Sequence, residues 1–314
     1  MLGRHANGIF WMFRYLERAE NTARLLDAGL QIALTSGVEA ADDEWRSVLV
    51  TTGQDELFRQ RHDSYSGMQV PDFMLRGKDN PGSILNMIEN ARTNAREVRT
   101  SLTREVWETN NETWLSLKAM LANPITERNL GDILPLTRRQ AALVRGSMEG
   151  TMLRNEIYNF ARLGTFLERA DNIARTLDVK YYVLLPNISM VGSDLDNKQW
   201  EAVLRSLSGI RAYRWLNAGR MDARGITDFL LLDRRFPRSL RFCVDKLDSN
   251  LRFLAEEYGE EGRSHELVRE AANELRETDV DEIIEAGLHQ FISVAKSRAA
   301  KISDAIAEDY RFIA

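Results

Sequence analysis

One cysteine in 314 residues, Cys243, leaves no route to an intrachain disulfide or a thiolate-built metal site. That scarcity fits a reducing compartment. Only four histidines occur, His5, His62, His265 and His289. They are scattered, and no Glu-x-x-His or His-Glu-x-x-His spacing joins them to an acid, so none is read as a metal ligand. There is no glycine-rich phosphate loop and no Gly-x-Ser-x-Gly elbow. No apolar run approaches the ~20 residues that cross a bilayer. Met1 to Glu20 has no apolar signal core, because Arg4, Arg14, Glu17, Arg18 and Glu20 already interrupt it. A net charge of −5 argues against nucleic acid, whose phosphates require a basic face. The expectation is a cytoplasmic protein that binds neither membrane nor nucleic acid.

Six prolines and an abundance of Leu, Ala, Glu and Arg favour helix, and 44% hydrophobic residues suffice for a full core. No sustained apolar–polar alternation marks a strand. The expected class is all-α: two tandem pseudo-repeated helical bundle units around long helices, residues 1–151 and 152–314.

The repeat is visible in the letters. Tyr15 to Asp27 reads YLERAENTARLLD and Phe166 to Asp178 reads FLERADNIARTLD, nine of thirteen positions being identical. Further matches follow: Trp45 with Trp200, Asp72-Phe73 with Asp228-Phe229, Pro81-Gly82-Ser83-Ile84 with Pro237-Arg238-Ser239-Leu240, and Asn94 and Arg96 with Asn250 and Arg252. The offset grows from 151 to 156, which places a short insertion in the polar stretch Pro186 to Asn197. The first long helix is expected over Arg4 to Thr35 and its counterpart over Leu153 to Leu184. Pro81 and Pro237 are expected in first helical turns. Gly259 is expected to close a helix, and Thr278 to start a last one running to Phe312. Trp45 and Trp200 are expected core anchors.

Glu17, Glu20, Asn21 and Arg24 are spaced i, i+3, i+4 and i+7, so they share one side of a helix. Glu168, Asp171, Asn172 and Arg175 repeat the pattern. With Arg18 and Arg169 they form the candidate polar cluster. Phe10, Phe13 and Ala28 flank the first stripe, and Ala161, Gly164 and Val179 the second. Apolar flanks point the charges at protein or a cleft, where they must be paired. Ala19, Ala23, Ala170 and Ala174 let a neighbouring helix come close. Glu20 to Arg24 and Asp171 to Arg175 have the favourable acid-first order.

Three readings stand side by side. The stripes form a structural network in which two long helices satisfy one another. Or Arg24 and Arg175 grip a carboxylate or phosphate. Or the acids form a metal or acid/base site. Arg92, Arg96, Arg99, Arg241 and Arg252 are either solvated or answer the acids. No catalytic residue or cofactor is assigned.

The blocks Leu2-Gly3-Arg4, Phe10 to Asn21, Arg162 to Asn172, Lys180 to Pro186, Phe229 to Asp233 with Phe236 to Ser239, and Asn80 to Ile84 with Ala91 to Arg96 together resemble the bacterial alpha-E family. Gly3 stands where the family usually has Ser, and Thr93 where it usually has Glu. The resemblance implies an all-helical protein named for recurrent Glu and Arg. It also implies genetic neighbours: a circularly permuted ATP-grasp ligase, a transglutaminase-like protein and at times a proteasome-like peptidase. The implied role is a helical component, itself not binding ATP, of a peptide-synthesis or peptide-tagging system. It would dock on the ligase and hold a peptide carboxylate at Arg24 and Arg175. An enzyme using Glu17, Glu20, Glu168 or Asp171 as acid/base groups and a pure scaffold remain the rivals.

Overall fold

The computed structural model describes residues 3–35, 38–65, 67–182, 194–219 and 221–312. Within them every regular element is a helix and no strand occurs. In chain order the helices are α1 (Gly3–Thr35), α2 (Val38–Thr52), α3 (Asp55–Arg59), α4 (Gln69–Arg76), α5 (Ile84–Glu97), α6 (Arg104–Met120), α7 (Glu127–Thr151), α8 (Glu156–Tyr182), α9 (Asp194–Ser206), α10 (Ile210–Leu216), α11 (Ala223–Leu231), α12 (Leu240–Tyr258), α13 (Arg263–Glu277), α14 (Val280–Ala286) and α15 (Leu288–Asp309).

Helices α1 and α8 are long and buried around most of their circumference, which makes them the central pair. They pack on each other. Around them α1 is covered by α5 and α7, and α8 by α12 and α15, while α2 and α9 touch both. Trp45 on α2 and Trp200 on α9 are buried in this layer, as expected. The central pair comes close at Gly164, where a Cβ would lie 2.2 Å from the Phe10 carbonyl oxygen. Ala19, Ala23, Ala170 and Ala174 are all buried further along the two helices.

Local chemistry sets the boundaries, and four differ from expectation. Helix α8 starts at Glu156 rather than Leu153, because Asn155 Oδ1 accepts from the Tyr158 amide and fixes the entry. Leu184, its expected end, lies outside the described residues, as does most of the stretch Pro186 to Asn197. Pro81 and Pro237 sit in turns before their helices. Ser83 and Ser239 are the caps, accepting from the amides of Asn86 and Phe242. The last helix is two helices. Asp279 with Glu282 makes the capping box that starts α14, and Gly287 at φ 103° turns the chain before α15. Gly259 closes α12 in the left-handed conformation as expected.

Candidate functional site

A helix exposes the same face every three to four residues, so a helix buried all round must bury its polar stripe with the rest. Glu17, Glu20, Asn21, Glu168 and Arg169 are each less than a tenth exposed. Unpaired, they would destabilise the fold by several kcal/mol each. They are paired, and the pairing is an exchange. Arg169 on α8 donates to Glu17 on α1 through Nε (3.0 Å) and Nη2 (2.9 Å). Arg18 on α1 donates to Glu168 on α8 through Nε (2.5 Å) and Nη2 (2.8 Å). Each Glu-Arg dipeptide therefore supplies the acid for one fork and the base for the other. A slip of one helical turn, about 5.4 Å, would break both forks at once, so the exchange fixes the register of α1 on α8.

Three arginines absent from the sequence-based cluster complete the network. Arg238, before α12, donates to Glu17 (2.8 Å), Asn21 (2.8 Å) and Glu20 (2.9 Å). Arg145 on α7 pairs with Glu17 (3.3 Å) and Glu20. Arg14 donates to Glu168 (2.9 Å) and to Ser303. The i, i+4 pairs formed as their order predicts: Arg24 donates to Glu20 (2.6 Å) and Arg175 to Asp171 (2.7 Å). Arg92, Arg99 and Arg252 are engaged elsewhere, at Asn111, Trp107 and Asp248. Among the described residues neither Arg96 nor Arg241 bonds to a stripe acid.

Burial pushes the Glu17 carboxyl up, but Arg169, Arg238 and Arg145 pull harder and hold it well below the usual range. Burial and the neighbouring Glu17 raise Glu20, and Arg145, Arg238 and Arg24 bring it below its ordinary value. Burial raises Glu168, which Arg18 and Arg14 likewise bring down. Burial pulls Arg238 down to about 10, with Arg169 and Arg24 adding to the effect against Glu17 and Glu20. Cys243 lies beside the network, and burial pushes its thiol up to about 12, so it stays protonated and unreactive.

The folded chain thus holds three carboxylates ionised at pH values where the unfolded chain has protonated them. Their contribution is fully present above the ordinary value of 4.5 and is lost as pH falls through the depressed folded values. Melting temperature is expected to fall steeply below pH 4.5 and to be flat from pH 6 to 8. A flat profile down to pH 3 would show that the fold does not lower the titration of the three acids.

The two stripes differ in what they leave open. Glu20 is sealed, whereas Asp171 and Asn172 are only partly covered and Arg175 is exposed. Beside them lies a cleft of about 410 Å³ whose walls include Arg18, Asn21, Glu168, Asp171, Asn172 and Arg175. The α2–α3 turn and Gly82 also line it. The Asn21 carboxamide is oriented by Arg238, which takes Oδ1. Its Nδ2, at 3% residue exposure, has no acceptor among the described residues. Arg24 lines a different cleft of about 380 Å³, with Asp27, Arg205, Ser208 and Arg211. Arg24 and Arg175 thus do not meet in one cleft.

Arg238 lies outside the cluster expected from sequence, although Pro237-Arg238-Ser239 matches Pro81-Gly82-Ser83 in its outer letters, and a Gly-to-Arg difference between such matching blocks is a usable signal. Arg145 carried no such mark.

Among the described residues no group of three or more His, Cys, Asp or Glu is arranged to hold a metal ion, and no helix is long and apolar enough to cross a membrane. A family model for Alpha-E, described as a predicted alpha-helical domain with a conserved ER motif, matches residues 1–311. An uncharacterized protein of Mycobacterium bovis is 25% identical over 292 residues, 88% of this chain and 32% of its own length. Uncharacterized proteins of two Mycobacterium tuberculosis strains are 25% and 24% identical over the same extent. The chain thus spans about a third of the length of the relatives it matches. No solved structure matches.

Proposed function

The chain belongs to the Alpha-E family, and from that premise we propose that it is a helical binding component of a peptide-forming system, with the Glu-Arg exchange as its lock and the adjoining cleft as its ligand site. Residues 1–151 and 152–314 are then two copies of one unit, and Glu17-Arg18 and Glu168-Arg169 are the family's ER motif. The reading is supported by the way the acids are used. Glu17, Glu20 and Glu168 are each satisfied by two or more guanidiniums. A general acid or base needs an open approach and a poised proton, so this geometry favours a lock over an acid/base enzyme.

One observation carries the ligand role: the Asn21 Nδ2 donor, buried and without an acceptor, at the wall of a cleft that also holds Arg18 and Arg175. A buried donor left unpaired costs about 1–3 kcal/mol, and a ligand oxygen would remove that cost. The carboxylate of a peptide is the group proposed, gripped by Arg175 and Asn21, with Arg24 left to the lock. The partner proposed is a circularly permuted ATP-grasp ligase, with a transglutaminase-like protein as a further member of the system.

Two measurements test this. Fluorescence anisotropy is expected to show peptides with a free C-terminal carboxylate binding at least about tenfold more tightly than their amides, with the difference lost in Arg175→Ala. Equal binding of acid and amide would remove the carboxylate role. Co-purification with the ligase, and a change in its turnover, is the expected result for docking. Proteins that neither associate nor alter each other's turnover would leave a scaffold acting elsewhere.

A further inference from the structure

The two stripes are matched in acids but not in guanidiniums. Glu17 and Glu20 are met by four: Arg24, Arg145, Arg169 and Arg238. Glu168 and Asp171 are met by three among the described residues: Arg14, Arg18 and Arg175. The missing one can be named. Arg238 stands in Pro237-Arg238-Ser239, and the matching block is Pro81-Gly82-Ser83. Ser239 and Ser83 cap α12 and α5 in the same way. Where Arg238 reaches from its turn into Glu17, Glu20 and Asn21, the other turn offers only the hydrogen of Gly82. Gly82 lines the cleft together with Glu168, Asp171 and Asn172.

We infer that the cleft is a guanidinium slot, completed by the arginine side chain of a ligand occupying the place that Arg238 fills in the other half. The ligand's planar fork would lie between Asp171 and Glu168 with Asn172 Oδ1 as a further acceptor, as Arg238 lies between Glu20 and Glu17 with Asn21. A second, independent feature calls for a ligand here. Asn21, which lines the same cleft, has a buried Nδ2 without an acceptor among the described residues, and free arginine or an arginyl peptide carries an oxygen near its side chain that would satisfy it. Asp171 has a single guanidinium partner, Arg175, which is exposed. Its remaining acceptor sites are therefore available. A ligand without a cationic fork would leave them unmet.

This deepens the ligand-site reading of the cleft, and its test separates the two. Isothermal titration with L-arginine, agmatine and L-citrulline compares the full ligand with one lacking the carboxylate and one lacking the cationic fork. The expected result is arginine binding with citrulline weaker by about tenfold or more, the usual worth of a charge-assisted bond. Asp171→Asn is expected to abolish the preference. Gly82→Arg is expected to fill the slot from within, keep or raise the melting temperature, and end arginine binding. The incoming side chain meets first the flexible end of Gln54, at 2.8 Å from the Cβ, which can move aside. Should Gly82→Arg fail to fold, the citrulline comparison and Asp171→Asn decide alone. Agmatine binding as well as arginine keeps the slot and removes only the carboxylate grip. Citrulline binding as well as arginine, or no arginine binding at millimolar concentration, overturns the slot.

Discussion

Glu17→Gln is expected to cost about 3–5 kcal/mol of stability, the usual result of removing one partner from a buried ion pair. The substitution keeps the shape and removes one charge. Arg169, Arg238 and Arg145 then face one another around a neutral amide, half of which is itself a donor. Arg238 has a side chain only 8% exposed, so water cannot take over. Differential scanning calorimetry at pH 7 should show a melting temperature lower by on the order of 10 °C. Glu168→Gln is expected to do less, because one of its two partners, Arg18, keeps a side chain 38% exposed and can be rehydrated. Equal effects, or a shift under about 2 °C for Glu17→Gln, would mean the exchange contributes little to holding the helices.

Gly164→Ala should be nearly as damaging, and its sign is the informative part. Inside a helix, Gly to Ala ordinarily stabilises by about 1 kcal/mol. Here the new methyl would sit 2.2 Å from the Phe10 carbonyl oxygen and 3.1 Å from its carbon. Both neighbours are backbone of a fully packed helix, so neither can swing away. Either α8 moves off α1 or it slides, and both movements lengthen the two Glu-Arg forks. Overpacking alone costs about 1–3 kcal/mol, and loss of the forks adds to it. Gly146→Ala on α7 is the control. Nothing lies within 4 Å of its Cβ, so it should show the ordinary gain. Thermal melts of the two variants should move in opposite directions. If both rise, the helices do not approach as closely as described.

How much of this could be read from the chain alone depended on the range of each interaction. The inward direction of the stripes was legible because Phe10, Phe13, Ala161 and Val179 surround charges with apolar neighbours, and all four are buried. The two i, i+4 pairs were legible because both partners lie on one helix. The cross-helix forks were not, since nothing local says which acid faces which base 150 residues away. Arg145 and Arg238 reach Glu17 across 128 and 221 residues, and only the second left a trace. The break at Gly287 was overlooked because the apolar periodicity runs through it. The Asp279–Glu282 capping box marks where α14 starts and carries no signal of where it ends.

A Glu-Arg dipeptide that binds another Glu-Arg dipeptide is complementary to itself. Each dipeptide is at once donor and acceptor, as in the isologous contacts of symmetric dimers. Such a surface needs no second sequence to evolve against, since one helix is a sufficient template for its own mate. Tethering two of them in one polypeptide frees them to diverge. In the slot proposed above, one stripe walls off its acids with an added arginine, while the other keeps that place for a side chain that comes from outside.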